Sequence, residues 1–281
     1  MITIEMPRKE LQMPPEVTVG NRKRNSTATA VAFINENLLV SAAFNSKTIY
    51  LIKLTETGHE ILQTVKTRHH PDLMKYKDGV ILTSDYPHGE PNGHASIYDL
   101  VDEKIVFRKE IPVHNTKVHG CYIVDKDTII ITSNSDHNRG CLYIDVPTGK
   151  IIKNFNNFLY YPKDAHIDGD RLFVVTSESL PQIGQTTVIR DSIVYMFDKN
   201  SLEKISELKF HGQTDSLATS GNDGFIVVQG DDTLVHFKIE DDKLVFVKRI
   251  EGFNFPHGIS IYGDKMAVTN YGDNTIRILS L

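Results

Sequence analysis

Short runs of alternating apolar and polar residues, separated by turn residues, extend along the whole chain. The last 26 residues, 256–281, show the pattern most clearly: a strand, a Gly-Asp turn, a second strand, a Gly-Asp-Asn turn and a third strand. Alternation with a period of two residues is typical of strands with one buried face, and Gly, Asp and Asn favour tight turns. The pattern therefore predicts an all-β protein.

The same order of elements recurs upstream at a nearly regular spacing. Six copies align at the end of their second strand, and neighbouring copies lie 41 to 52 residues apart. The aligned residues are Ser41, Thr83, Thr132, Thr176, Val228 and Thr269. Most copies continue into a fourth, more polar strand, and four strands in about 40–50 residues are typical of a propeller blade. The repeat predicts a six-bladed β-propeller with four antiparallel strands per blade.

The predicted propeller occupies residues 1–281 as one domain. A closing segment, 1–26, precedes blades at approximately 27–67, 68–112, 113–157, 158–210, 211–252 and 253–281. The last copy stops after its third strand, which would leave an open sheet edge. We therefore expect a strand from the N-terminal segment, either at 2–6 or at 16–19, to pair beside residues 276–279.

Composition and charge exclude several classes of partner. The chain has 31 basic and 36 acidic residues and a net charge of −5, which argues against nucleic acid and against a polybasic membrane surface. No apolar run approaches the roughly 20 residues that cross a bilayer, and the N-terminus lacks the order of a signal peptide. We expect a cytoplasmic protein that binds neither nucleic acid nor membrane.

The two cysteines, Cys121 and Cys141, are predicted to be free thiols. They fall on the first and third strands of one blade, two strand spacings of about 4.8 Å apart. A disulfide needs Cα atoms within about 7 Å. Free thiols agree with a reducing compartment.

The last copy carries a family resemblance. Residues Val268-Thr-Asn-Tyr-Gly-Asp-Asn-Thr-Ile-Arg-Ile, preceded by Pro256-His-Gly-Ile, resemble the propellers of the YVTN-repeat, lactonase-like and NHL group. The resemblance is strongest in the last blade and weakest in blades 1, 2 and 5. It implies a propeller fold, and the group includes lactonases, lyases, metal-dependent hydrolases and interaction modules. Typical YVTN members have seven blades, whereas this chain has room for six. The absence of Trp makes the chain less similar to WD40 propellers.

Propeller geometry brings distant residues to one end of the channel, which we call the top face. The leading end of each first strand and the loop after each second strand are expected to open there. The leading ends contribute Thr29, His70, Asp72, His119, Lys163, Asp164, His166, Asp215 and His257. The loops contribute chiefly amides and acids, among them Asp85, Asn134, Glu178 and Asn270.

Three interpretations of these histidines stay open. In the first, His70, His119 and His257 bind one divalent metal ion, Zn, Mn, Fe or Ca. In the second there is no metal, and a histidine acts as general base with a carboxylate orienting it. In the third, each histidine only caps a strand end. His119 and His257 are the candidate catalytic residues because each begins a channel strand in a His-Gly pair.

The predicted function is binding of a small polar ligand at the mouth of the channel. A lactonase-like hydrolase or a lyase would suit it, and the alternative is a non-catalytic propeller with a protein or peptide on its top face. Phosphate-binding and dinucleotide-binding motifs are absent, so no nucleotide cofactor is expected. Long loops at 85–94 and 177–190 would border this face. The candidate ligand-binding residues are Asp85, Asn134, Glu178, Arg190, Asn270 and Tyr271.

Overall fold

The structure is a computed structural model, and it describes residues 9–14, 17–19, 22–114, 116–178 and 191–281. Strands dominate these residues, which also contain one short 3-10 helix, Gln229–Asp231. No helix in the described part of the chain has the length and apolar character needed to cross a bilayer. The all-β class is confirmed.

The strands follow one another in four-stranded antiparallel sheets. The N-terminal strands are β1 (Lys9–Gln12), β2 (Val17–Val19) and β3 (Arg22–Arg24). Blade 1 has β4 (Ala28–Asn35), β5 (Leu38–Ala43), β6 (Thr48–Leu54) and β7 (His59–Lys66). Blade 2 has β8 (His70–Lys77), β9 (Val80–Tyr86), β10 (Gly93–Val101) and β11 (Lys104–Val113). Blade 3 has β12 (Val118–Ile123), β13 (Thr128–Ser133), β14 (Gly140–Asp145) and β15 (Lys150–Phe155).

The second half of the chain repeats this arrangement. Blade 4 has β16 (Tyr161–Asp168), β17 (Arg171–Ser177), β18 (Asp191–Asp198) and β19 (Lys204–His211). Blade 5 has β20 (Thr214–Ser220), β21 (Asp223–Val228), β22 (Thr233–Glu240) and β23 (Lys243–Ile250). Blade 6 has β24 (Pro256–Tyr262), β25 (Lys265–Asn270) and β26 (Thr275–Ser280). The six-bladed propeller with four antiparallel strands per blade is confirmed.

The first strands form a closed ring around the central channel. Each of β4, β8, β12, β16, β20 and β24 contacts the first strand of the next blade, and β24 contacts β4. The apolar core lies between the blades. For example, Leu82 and Ile97 of blade 2 pack with Ile129 and Ile131 of blade 3. This placement follows from the sequence, because side chains that alternate along a strand face the two neighbouring blades in turn.

The fourth strands form the rim of the propeller and are largely exposed. Their alternating charged and apolar residues leave a charged outer edge, which opposes pairing with another sheet. Cys121 on β12 and Cys141 on β14 are both free and buried, and burial raises the pKa of both thiols. Neither is suited to act as a nucleophile.

An N-terminal strand closes the ring, as expected, but it lies at neither predicted position. Strand β1 pairs antiparallel with β26, with Leu11 opposite Ile276. The segment 2–6 lies outside the described residues, and Val17–Val19 pairs with Arg22–Arg24 instead. The reason is the alternation of β1: Leu11 and Met13 are fully buried among blades 6 and 1, whereas Glu10 and Gln12 are exposed. A polar outward face suits an outermost strand.

Leu11 is expected to anchor the closure. Replacing the buried Leu11 by Ala should lower the free energy of unfolding by roughly 2–4 kcal/mol, because it leaves a cavity in a packed core. Glu10→Gln, an exposed change on the same strand, should alter it by less than about 0.5 kcal/mol. Urea denaturation measures both. Equal effects of the two variants would show that the burial of Leu11 does not hold β1 in place.

Candidate functional site

Six side chains, one from each blade, meet in the central channel. Each belongs to the first strand of its blade, at a point where pairing with the second strand shifts register. Such a bulge turns a side chain out of the regular alternation of a strand. All six are buried, with exposed fractions from 1% to 7%. We call them the channel ring: Thr29, Asp72, His119, Lys163, Asp215 and His257.

The channel ring lines a cavity of about 430 Å³. A second cavity of about 200 Å³ shares Tyr86, His119 and Lys163 with the first and adds Asn134. The volume of the larger cavity is that of a small-molecule site. The other residues that line the first cavity are four aromatic and two amide side chains: Phe44, Tyr86, Phe255, Tyr271, Gln213 and Gln229. The cavity thus combines buried charges with apolar walls.

The two His-Gly pairs make the same set of contacts in blades 3 and 6. In blade 3, His119 Nδ1 lies 3.0 Å from the carbonyl oxygen of Lys163, and Thr132 Oγ1 donates to the same oxygen at 2.9 Å. The Gly120 N–H donates to Thr132 Oγ1. In blade 6, His257 Nδ1 and Thr269 Oγ1 make the same contacts with the carbonyl oxygen of Thr29, and the Gly258 N–H donates to Thr269 Oγ1.

These contacts fix the tautomer of both imidazoles. A backbone carbonyl only accepts, so Nδ1 must carry a hydrogen, and Nε2 is left to face the channel. The glycines are required by the close approach of the next blade. A Cβ on Gly120 would lie 2.4 Å from the Lys163 carbonyl oxygen, and one on Gly258 would lie 2.6 Å from that of Thr29. The glycine is therefore explained by packing between blades.

Two carboxylates face the Nε2 atoms. His119 Nε2 lies 3.1 Å from Asp215 Oδ1 and 3.8 Å from Asp72 Oδ2, and His257 Nε2 lies 3.4 Å from Asp72 Oδ1. The two imidazole rings are roughly parallel, with centroids 5.8 Å apart. One ligand atom from each of Asp72, His119 and His257 lies within 4.8 Å of the other two, so these residues could hold a metal ion.

The charges of the channel ring are coupled. Burial alone would lower the pKa of His119, but the carboxylates of Asp72 and Asp215 outweigh it and raise that pKa. Burial would raise the pKa of Asp215, but the hydrogen bond from His119 and the nearby positive charges lower it far below its usual range. Without a bound cation, the pairing with Asp215 therefore favours the protonated form of His119. A protonated His119 cannot serve as a general base.

His70 does not join the group that contains His119 and His257. Its Nδ1 lies 3.0 Å from the carbonyl oxygen of Phe44, and its ring packs against Phe44 and His88. The residue that reaches the channel from this strand is Asp72, two positions later, because the bulge falls there. The structure thus brings together two of the three histidines of the expected metal site and adds a carboxylate.

Asp85 lies inside blade 2 and is not among the residues that line the two cavities at the channel mouth. It is 1% exposed and accepts hydrogen bonds from Thr83 and Ser96. Burial raises its pKa to about 7, against the lowering effect of these bonds. The side chain is a buried acid within the sheet.

The other candidate ligand-binding residues have different positions. Tyr271 lines the larger cavity and Asn134 the smaller one. Asn270 is fully buried, where it accepts from the Asn254 N–H and donates to Thr275 Oγ1. Glu178 accepts from the Asp191 N–H at 3.4 Å and is absent from the lining of both mouth cavities. Arg190 lies outside the described residues.

Asp72, Lys163 and Asp215 were expected at the top face, but no binding or catalytic role was predicted for them. The available signal was their position relative to the repeat. Each occupies the bulge position that His119 and His257 occupy in their own blades. The register shift in each first strand makes this equivalence visible.

Comparisons with known proteins support the fold. No protein-family model matches the chain, and no curated protein matches it. Among solved structures, hydrazine synthase of Kuenenia stuttgartiensis is 13% identical, with 90% of this chain and 83% of that chain covered and a TM-score of 0.63. A chain of a mitotic checkpoint complex is 10% identical, with 98% and 94% covered and a TM-score of 0.65.

A third solved structure gives the same result. The Cps50 (Swd1) β-propeller domain of Myceliophteria thermophila is 14% identical, with 92% of this chain and 86% of that chain covered and a TM-score of 0.59. At such identities the likeness shows the β-propeller fold alone. The YVTN-repeat, lactonase-like and NHL group stays a resemblance of sequence.

Gly120→Ala should disrupt the contact between blades 3 and 4. The added Cβ collides with backbone, so we expect a loss of roughly 1–3 kcal/mol in the free energy of unfolding. Gly58→Ala is the control, because a Cβ there meets nothing within 4 Å. Denaturation with urea compares the two. If Gly120→Ala were as stable as Gly58→Ala, the close approach would not constrain this position.

The buried acid Asp85 should make the stability of the metal-free protein depend on pH. Its pKa is about 7 in the folded state against 3.8 in its ordinary state, so between these values the folded protein binds more protons. The contribution of Asp85 to the free energy of unfolding must then fall as pH rises from about 4 to about 7. Asp85→Asn cannot ionise, so its stability relative to wild type should increase across this range by a few kcal/mol, on the order of 1.4 per pKa unit. If the difference in free energy of unfolding between Asp85→Asn and wild type stayed constant between pH 4 and 8, the burial of Asp85 as an ionisable acid would be contradicted.

Proposed function

We propose that the protein binds one divalent transition-metal ion at Asp72, His119 and His257 and uses it to hydrolyse a small ester or lactone. The observation that carries the proposal is the shared orientation of the two imidazoles. Each donates Nδ1–H to a backbone carbonyl of the next blade, so that Nε2 faces the same carboxylate. Metal-binding histidines are held by such hydrogen bonds.

The electrostatics of the channel ring support a cation. With both imidazoles neutral, Asp72, Asp215 and Lys163 leave a net charge of about −1 in a buried ring, which favours a positive ligand. A divalent ion displaces the proton of His119, because metal and proton compete for Nε2. Two imidazoles and a carboxylate suit Zn, Mn or Fe, whereas Ca prefers oxygen ligands alone.

Asp215 is placed to act as the general base. Its Oδ1 lies 3.1 Å from His119 Nε2, and its Oδ2 is buried without a hydrogen-bond partner among the described residues. If a metal ion were held by His119 Nε2, Asp215 would lose its ion pair and would be free to accept a proton from the attacking water. Metal binding lowers the pKa of such a water to about 7.

The reaction that follows is ordinary hydrolysis. Asp215 would take a proton from the attacking water, whose oxygen would add to the carbonyl carbon of the ester. The acyl C–O bond then breaks, and the leaving oxygen receives the proton from Asp215. The aromatic residues of the larger cavity, such as Phe44 and Tyr271, would hold the apolar part of the substrate.

A second candidate function is binding of a protein at the top face. Phe255, which lines the larger cavity, is 39% exposed, and exposed aromatic residues are common in protein interfaces. Propeller chains of this fold also occur in assemblies, as the mitotic checkpoint complex shows for its own chain. A partner that binds wild type and loses its affinity for Phe255→Ser would favour this function.

The metal proposal is tested with Asp72→Asn. This variant keeps the shape of the side chain but removes its charge, so the affinity of the channel for Zn²⁺ should fall by more than about a hundredfold. Asp78→Asn is the matched control, because Asp78 is an exposed residue just beyond the opposite end of the same strand. Elemental analysis and calorimetric titration with Zn²⁺ measure both. Equal zinc binding by wild type and Asp72→Asn would overturn the site.

Hydrolysis is tested on the same proteins with a panel of small lactones and chromogenic esters. The zinc-loaded wild type and Asp78→Asn should turn over at least one of them. Asp72→Asn and Asp215→Asn should lose that activity, and Asp215→Asn should do so with its zinc still bound. A wild type that binds zinc at Asp72 but hydrolyses nothing in the panel would refute the reaction and leave the metal site standing.

A further inference from the structure

A second group of imidazoles and carboxylates lies in blade 2, outside the lining of the channel mouth. His69 directly precedes β8, and His94 is the second residue of β10. Glu90 comes from the loop between β9 and β10, and Glu110 from β11. One ligand atom from each of His69, Glu90 and His94 lies within 4.8 Å of the other two. None of these residues has a part in the proposed hydrolysis.

The group is tightly packed around His69. Its ring stacks on that of His94, with centroids 3.7 Å apart and planes 7° from parallel. His69 Nδ1 lies 3.2 Å from Glu90 Oε2, and its Nε2 lies 3.1 Å from Glu110 Oε2. Both imidazoles are more than nine-tenths buried, with 8% and 9% of their surface exposed.

Two ring nitrogens of this group lack hydrogen bonds. His69 Nε2 and His94 Nδ1 are buried without a partner in the described part of the chain. For His69 Nε2 the carboxylate of Glu110 is near enough but is not aligned for a hydrogen bond. A buried polar atom without a partner costs about 1–3 kcal/mol. Two such atoms on stacked rings indicate a missing ligand.

The charges distinguish an ion from a water molecule. Glu90 and Glu110 bring two negative charges to the group, and Arg68, which lies 3.7 Å from Glu110, is 81% exposed. Water would satisfy the ring nitrogens but would leave these charges uncompensated. A divalent cation satisfies both, because imidazole and carboxylate are its usual ligands.

We propose that His69, Glu90 and His94 form a second binding site for a divalent transition-metal ion, with Glu110 orienting His69. Glu90, His69 Nδ1 and His94 Nδ1 would face the ion, while His69 Nε2–H would donate to Glu110, so that both unpartnered nitrogens would gain a partner. A carboxylate behind a metal-binding histidine is the usual arrangement. The proposal is independent of the ion at the channel ring, since the two sites share no residue.

Binding requires a change in the plane of the His69 ring. Parallel rings 3.7 Å apart cannot both direct an in-plane lone pair at one ion. The same ring is misaligned with Glu110, so a tilt is needed at both of its nitrogens. Loading should therefore break the stack of His69 on His94, which gives a spectroscopic readout that simple surface binding would not produce.

The site would attach the loop between β9 and β10 to the body of blade 2. Glu90 is the exposed member of the group, and it comes from this loop. The loop begins after Tyr86, which lines the channel mouth, and His88 within it contacts the rings of Phe44 and His70. An ion at His69 and His94 would thus fix one wall of the channel mouth without taking part in its chemistry.

The test compares Glu90→Gln and His94→Phe with wild type. Phe preserves the stacking on His69 but offers no nitrogen, and Glu103→Gln, at an exposed glutamate of the same blade, is the control. Metal-free proteins are titrated with Zn²⁺ by calorimetry and native mass spectrometry. Wild type and Glu103→Gln should bind two ions, and each test variant should bind one, with at least a hundredfold loss at the second site. In wild type, the NMR signals of His69 and His94 should shift on loading.

The outcomes separate the two metal sites. Asp72→Asn should keep the blade 2 ion, and Asp72→Asn with Glu90→Gln should bind none. If wild type binds a single ion that Glu90→Gln loses, the channel proposal fails and the blade 2 site stands. If Glu90→Gln and His94→Phe bind zinc as wild type does, or if the signals of His69 and His94 stay unchanged on loading, the blade 2 site is refuted.

Discussion

The structure depends on a hydrogen bond between neighbouring blades at the channel. A hydroxyl on the second strand of one blade donates to the carbonyl oxygen of the bulge residue in the next: Ser84 to His119, Thr132 to Lys163, and Thr269 to Thr29. The bond joins the second strand of one blade to the first strand of the next. It also positions the bulge, and the bulge directs the channel ring. Closure of the propeller and geometry of the site therefore have a common cause.

The hydrogen bonds between blades and the bulges that they position explain how the charged side chains of the channel can be buried together. An isolated charge in a protein interior is costly, and paired charges are tolerated only with good geometry and further hydrogen bonds. Deeper in the channel, Asp164 meets these conditions: it is fully buried, pairs with Lys75 at 2.8 Å and accepts from Ser216 and Leu217. The channel ring above it is less complete, since Asp215 keeps an unpartnered oxygen. That difference favours the ring over Asp164 as the proposed metal site.

The fold was largely predictable from sequence, because hydrophobic alternation and turn residues are local signals that repeat six times. The identity of the closing strand was not, since among the described residues near β1 only Leu11 and the following Met13 reach the core, and the polar residues beside them conceal the alternation. The histidines of the proposed metal site, His119 and His257, were expected from the sequence as ligands, whereas the carboxylate of Asp72 was not. His119 and His257 share a His-Gly pair that the sequence displays, whereas His70 and Asp72 are separated by one bulge. A shift of one residue in pairing changes which side chain reaches the channel, and no local pattern reveals it.

The six bulge positions of the channel ring are equivalent in the fold but carry different residues, and this difference is informative. A repeat that served closure alone would need only a small residue at the bulge, as Thr29 shows by donating to the Pro71 carbonyl oxygen of the next blade. Five blades instead carry an ionisable side chain there. Around the channel the order is His257, Thr29, Asp72, His119, Lys163 and Asp215, so Asp72 and Asp215 lie on opposite sides of His119, and Lys163 follows it. Because packing does not require these charges and burial penalises them, their presence supports the proposed binding of a metal ion.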